Sequence, residues 1–409
     1  MSVHVTSEIG PLEACLVHTP GRELEAVTPV NREDYLYDDL IGLEVSASEH
    51  RRLVAVLKKC CKVLEISELL AQAVAIPEAR EFLTTKTLDV VPLAPLAQQL
   101  ADLTPTALVH TLIEGVQEVG GPIARTLNEV GFMLPPLPNL FFPRDAGIVI
   151  GNHAVVGSMR YGTRWTEELL IKTLFLFHPE LQNSGILYDG SEERRSNYTL
   201  EGGDLHVLRE DLLLVGFSER SSPAALDLLC ELLFTKTAVT DVVVVVMPRL
   251  PTAIHLDMVF TQVDRDLCAV YPPCFIGPER LTVLHRKKGR KTVRERSDLF
   301  VALRQVGLGL DPVSTGGANR LVQEREQWAS GCNFLAIRPG MVISYQRNEV
   351  TLREMERAGF SLVAGRDFLA FDDWDESRRR VVITLEGSEL VRGGGGPRCM
   401  TLPIRRADP

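Results

Sequence analysis

The sequence has no CxxC pair, no apolar run long enough to span a bilayer and no excess of positive charge. Each absence closes off a class of function. The eight cysteines (Cys15, Cys60, Cys61, Cys230, Cys268, Cys274, Cys332 and Cys399) are scattered, and the adjacent Cys60 and Cys61 make a poor disulfide or zinc site. The N-terminal stretch MSVHVTSEIGPLEA lacks the basic start and apolar run of a secretory signal. Reduced thiols and a cytoplasmic location are therefore expected. Without a spanning segment, no membrane partner is expected. The 44 basic residues are outnumbered by 54 acidic ones, for a formal net charge of −10. That balance argues against nucleic acid as a partner. The one basic tract, HRKKGRKTVRER (285–296), reads as a solvated surface loop or helix end. Neither a low-complexity segment nor an internal repeat is visible.

What is present is ordinary globular material. Of 409 residues, 45% are hydrophobic and 24% charged. Short apolar strands recur: EACLVHTP (13–20), GIVIGNHAVVG (147–157), DLLLVGFS (211–218), DVVVVVMP (241–248), DLCAVYPP (266–273), GMVISYQRN (340–348) and RVVITL (380–385). Helix-period stretches lie between several of them, such as 48–66 and SSPAALDLLCELLFTK (221–236), which opens on serine N-cap candidates. Alternating strands and helices predict an α/β fold. The stretch 68–130 breaks the pattern with proline-cut helical segments. It predicts an all-helical insertion in a body formed by 1–67 and 131–409.

The chemistry-bearing residues cluster in short motifs. GGGGPRCMTLPI (393–404) sets Cys399 behind glycines that let backbone approach a bound group closely. In HLDMVF (255–260), read as a strand, His255 and Asp257 share a face. LEGGDLHV (200–207) carries Glu201 and Asp204, and LPNLFFPRDAG (137–147) carries Arg144 and Asp145. Arg164 and Arg220 stand near element ends, and arginine grips carboxylates in a planar, two-pronged way. Each motif alone is ordinary. Together they suit a ligand that is cationic at one end and carboxylated at the other, and arginine fits.

These motifs, with VHTPGRELEAVTP (17–29) and REQWASGCNFLAIRPG (325–340), resemble in order those of the arginine deiminase family, from near the N-terminus to the end. The resemblance implies the guanidino-modifying fold, a five-bladed α/β propeller (pentein) with a helical insertion. It implies hydrolysis of L-arginine to citrulline and ammonia, with Cys399 as nucleophile and His255 as acid and base. Glu201 would orient His255, while Asp145 and Asp257 grip the guanidinium. Arg164, Arg220 and Asn139 would bind the amino-acid end, with Asp204 in support. Where some members carry arginine five residues before the cysteine, this chain has Gly394, and Arg398 is expected as a mobile gate. No metal or cofactor is implied, because the substrate brings its own positive charge, and a homo-oligomer is expected. Two other readings remain at this point: another guanidino-modifying enzyme (agmatine deiminase, dimethylarginine hydrolase or amidinotransferase), and a non-catalytic arginine-binding protein on the same fold.

Overall fold

One local plan recurs five times in the computed structural model, which describes residues 2–118, 121–127, 131–191, 198–371 and 380–409. Two antiparallel strands are followed by a helix and by a strand parallel to the second. Gly147–Ile150 and His153–Val156 form the first hairpin, and after helix Trp165–Phe177 the strand Ile186–Asp189 completes that sheet. Leu205–Arg209, Leu212–Phe217, helix Pro223–Lys236 and Asp241–Val246 repeat the plan. So do Phe260–Gln262, Leu267–Val270, helix Leu299–Gln305 and Asp311–Ser314. The fourth unit runs from Leu335–Arg338 and Met341–Tyr345 through helix Glu349–Arg357. Its parallel strand is Val381–Leu385, with Ser361–Ala364 at the edge.

The fifth unit joins the two ends of the chain. Leu402–Arg406 pairs antiparallel with Leu12–Val17, helix Leu43–Cys60 follows, and Lys62–Glu65 lies parallel to Leu12–Val17. The repeat escapes a reading by eye because any short apolar run satisfies a buried strand. Insertions of different length also separate the copies.

Local chemistry sets the elements. Helix Pro223–Lys236 starts where Ser222 accepts a hydrogen bond from the Ala225 amide, with proline at the first turn. It buries Leu226, Leu229, Cys230 and Leu233, the spacing of one helical face. Truncating a buried leucine such as Leu229 to alanine costs about 2–5 kcal/mol.

Three expectations change. The helix expected over 48–66 ends at Cys60, because Lys62–Glu65 is recruited into the sheet beside Leu12–Val17. The basic tract 285–296 keeps its expected surface loop only at 288–293, between two strands. Val283–Lys287 and Arg294–Arg296 pair as a hairpin at the edge of the second sheet, and edge strands tolerate such charge. Within 68–130, Pro77–Val90, Ala94–Ala101 and Pro105–Glu114 are helices, preceded by Ile66–Ala73, but Val116–Gln117 pairs with Phe132–Leu134. Residues 119–120 and 128–130 of that stretch lie outside the described residues. The apolar faces of these helices share one cluster with Leu16, Val149 and Leu170, so the stretch packs onto the body. Among the described residues, no helix is long and apolar enough to cross a membrane.

Candidate active site

The residues that converge in the site come from equivalent places. Each lies just ahead of the first strand of a unit: Asp145 before Gly147–Ile150, Glu201 and Asp204 before Leu205–Arg209, and His255 and Asp257 before Phe260–Gln262. Asn333 precedes Leu335–Arg338, and Cys399 precedes Leu402–Arg406.

His255 and Asp257 do not sit on a strand as expected. His255 has extended backbone and caps a 3-10 turn, Leu256–Met258. The turn forms because the Leu256 amide is taken by Asp204 Oδ1 at 3.0 Å. The two side chains therefore serve different partners. His255 Nε2 lies 2.8 Å from Glu201 Oε2, and Nδ1 lies 3.6 Å from Asp145 Oδ1. Asp257 Oδ2 accepts from the Cys399 thiol at 3.4 Å and from Arg398 Nη1 at 2.8 Å.

The glycines prove to be spacers. A Cβ on Gly203 would stand 2.6 Å from the His255 ring, and one on Gly396 would stand 2.8 Å from Asn333. That close approach brings Asn333 onto the cysteine loop. Its Nδ2 donates to Cys399 Sγ at 3.0 Å, and its Oδ1 accepts from the amides of Arg398 and Cys399. Asn333 was not singled out from the sequence. Its place just before a hairpin, shared with the other site residues, is the signal that finds it.

Burial governs the electrostatics. It pushes the Cys399 thiol well above its usual range, and the Asp257 and Asp145 charges push it further, against Gly396 and Arg398. Burial pulls His255 down, but Asp145 and Glu201 outweigh it and lift the imidazole to about 9. Glu201, despite burial, is drawn down to about 2 by Arg220, His255 and Arg164. Burial raises Asp204 to about 6 against hydrogen bonds from Ser218 (2.5 Å) and Ser221 (2.6 Å). Asp145, Glu201 and His255 also offer ligand atoms within 4.8 Å of one another.

Cys399, His255, Asp145, Asn139, Arg164 and Arg220 line one inner cavity of about 30 Å³. An outer cavity of about 320 Å³ shares Leu36, Arg220, Ile254, Met258, Gly393 and Gly394 with it and adds Tyr161, Glu219 and Arg392. Arg164 is clamped by Glu167 and by Asp145 Oδ2 at 2.7 Å. Arg220 stacks over Tyr161 and reaches Glu201 and Glu219. The Asn139 amide donates to the Tyr35 carbonyl at 2.8 Å. Arg392, at the outer mouth and held by Asp39 and Glu389, was also missed; it opens the glycine run.

Arg398 is no gate. It is 1% exposed and lies beneath the site, forked onto Glu8, Asp257 and the Leu205 carbonyl. The chain's Glu8 supplies the countercharge that fixes it there.

A family model described as arginine deiminase matches residues 33–406. The chain belongs to the arginine deiminase family. Arginine deiminase of Streptococcus gordonii is 33% identical, with 99% of this chain and 98% of that protein aligned. Those of Limosilactobacillus fermentum and Listeria monocytogenes are 31% and 33% identical over 99% of this chain and 99% and 98% of theirs. Among solved structures, the N-terminal domain of ArgZ, an arginine dihydrolase, bound to product has TM-score 0.52 at 14% identity, covering 96% of this chain and 97% of that one. The same domain has been solved covalently bound to a reaction intermediate. The inosamine-phosphate amidinotransferase StrB1 of Streptomyces griseus has TM-score 0.52 at 15% identity, covering 100% of this chain and 98% of that one. At these identities the likeness is one of fold.

Proposed function

We propose that the protein is an arginine deiminase, hydrolysing L-arginine to L-citrulline and ammonia through a covalent intermediate on Cys399. One observation carries the reading. Asp145 Oδ1 and Asp257 Oδ1 are buried beside Cys399 and accept no hydrogen bond. Unpaired buried carboxylate oxygens are costly. A guanidinium supplies the missing N–H donors and the compensating charge together.

The chemistry follows from the charges. The thiol is held protonated by burial and by its acidic neighbours, so the arriving cation shifts it toward thiolate, its proton passing to solvent. Sγ attacks the guanidinium carbon. His255, protonated at neutral pH, gives its proton to the departing nitrogen as the C–N bond breaks, leaving an S-alkylthiouronium adduct and ammonia. His255, now neutral, takes a proton from water. The hydroxide adds to the same carbon, the C–S bond breaks, the new hydroxyl passes its proton to the departing sulfur, and citrulline leaves. Glu201 keeps His255 oriented and basic, Asp204 positions the His255 turn, and Asn333 steadies the sulfur. Arg164 and Arg220 make the positive wall for the substrate carboxylate, with Arg392 at the outer mouth and Asn139 near the amino end.

The five units are read as the five blades of an α/β propeller around this site. Pairing of the chain termini in the fifth unit supports that reading, with 68–130 as an accessory helical part. The purified protein is tested with arginine. One citrulline per ammonia is expected. Ornithine with two ammonia, ornithine with urea, or transfer of the amidino group to an added amine would overturn the assignment.

A further inference from the structure

Cys15 and Cys61 bring their sulfurs to 3.9 Å. Cys15 is fully buried in the strand Leu12–Val17, while Cys61 is half-buried at the junction between helix Leu43–Cys60 and strand Lys62–Glu65. The pair lies in the sheet that carries Leu402–Arg406, where Cys15 stands opposite Pro403. Beside it the buried charges do not balance. Arg406 is 1% exposed; its Nη1 donates to the Gly10 carbonyl at 2.7 Å, and its Nη2 is buried without a partner. Arg144 Nη2 is likewise buried and unpartnered, and Arg398 spends its fork on Glu8 and Asp257. Three buried guanidinium groups thus face two carboxylates, Glu8 and Asp257, and two thiols.

We propose that Cys15 and Cys61 form a reversible dithiol–disulfide site, oxidised by a small-molecule disulfide, with the buried guanidinium of Arg406 as the counter-ion of the reacting thiolate. The step balances. The half-exposed Cys61 thiolate attacks one sulfur of the small disulfide and releases one small thiol. The Cys15 thiolate then attacks Cys61 Sγ in the mixed disulfide, forming the internal S–S bond and releasing the second small thiol. Both cysteine protons leave with those thiols. Support comes from the thiols themselves: a hydrogen bond from Cys15, then Arg406, holds Cys61 below its usual range against burial, while that contact and burial push Cys15 up. Cys60, at the helix end, is carried up to about 12 by burial, which makes it the poorer nucleophile.

The test uses the full chain carrying Cys399→Ala, so that the site thiol does not react. It is equilibrated across a series of reduced and oxidised glutathione ratios, and thiols are then blocked and peptides mapped without reduction. The expected result is a two-thiol loss reversed by dithiothreitol, one linked peptide pair containing Cys15 and Cys61, and a rise in Tm. In Cys61→Ser the linked pair disappears, and in Arg406→Met the oxidation rate falls roughly tenfold. No linked pair at the most oxidising ratio, or a link through Cys60 instead, would overturn the proposal. An unchanged rate in Arg406→Met would overturn the counter-ion role.

Discussion

The side-chain amide of Asn333 donates to the sulfur of Cys399 across 3.0 Å, while its oxygen caps the two backbone amides of the cysteine loop. The two halves of this side chain can be separated. Asn333→Asp keeps the acceptor but replaces the donor with a charge that opposes the thiolate. A hydrogen bond to a charged group is worth about 1.5–3 kcal/mol, so kcat should fall at least roughly tenfold. The rate of Cys399 alkylation by iodoacetamide should fall with it. Unchanged alkylation would remove Asn333 from activation of the sulfur.

Arg220 links the inner and outer cavities. Arg220→Ala should depress kcat/KM for arginine by roughly a hundredfold or more, on the scale of a lost charged pair. Agmatine, which has no carboxylate, should be affected far less. Equal losses on both substrates would mean that Arg220 acts only through Glu201.

The pH profile carries a sign. His255 is lifted from an ordinary value of 6.5 to about 9. It is protonated at neutral pH, and kcat/KM should fall as pH rises through about 9. Glu201→Gln removes one of the charges that lift it, so the alkaline limb should move to lower pH. The stability gained from this histidine follows the same direction: complete below about 6.5 and lost as pH rises through about 9. An alkaline limb that stays in place in Glu201→Gln would assign that limb to another group.

Arg398 is buried between Glu8 and Asp257. Arg398→Met should leave two buried carboxylates without their partner and cost about 3–5 kcal/mol, measured by urea unfolding. A variant of native stability with an altered KM would restore the gate reading.

Much of the site was legible because its chemistry is local. Cys399, Glu201 and Asp145 each stand in a short motif whose glycines or prolines mark a turn, and His255 in a short His-x-Asp motif; Cys399, His255 and Asp145 line one cavity, with Glu201 behind His255. What was hidden depends on distance along the chain. Nothing near Arg398 in sequence says that Glu8, from the other end, will neutralise it. Asn333 sat within a quoted motif, but its role requires Gly396 to pass within a Cβ's width. His255 and Asp257 obeyed a strand spacing and still formed a turn, because Asp204 captures the Leu256 amide. The five-fold plan escaped notice for the same kind of reason. The pairing of Leu12–Val17 with Leu402–Arg406 joins the two ends of the chain.

The central claim is a bond between Cys399 Sγ and the guanidinium carbon. Acid quenching during the first turnovers with arginine, followed by peptide mass spectrometry, tests it directly. The account predicts an adduct of arginine less ammonia on the peptide bearing Cys399, forming no more slowly than citrulline appears and absent from Cys399→Ser. Citrulline formation by Cys399→Ser at the parent rate, or an adduct on another residue, would contradict it.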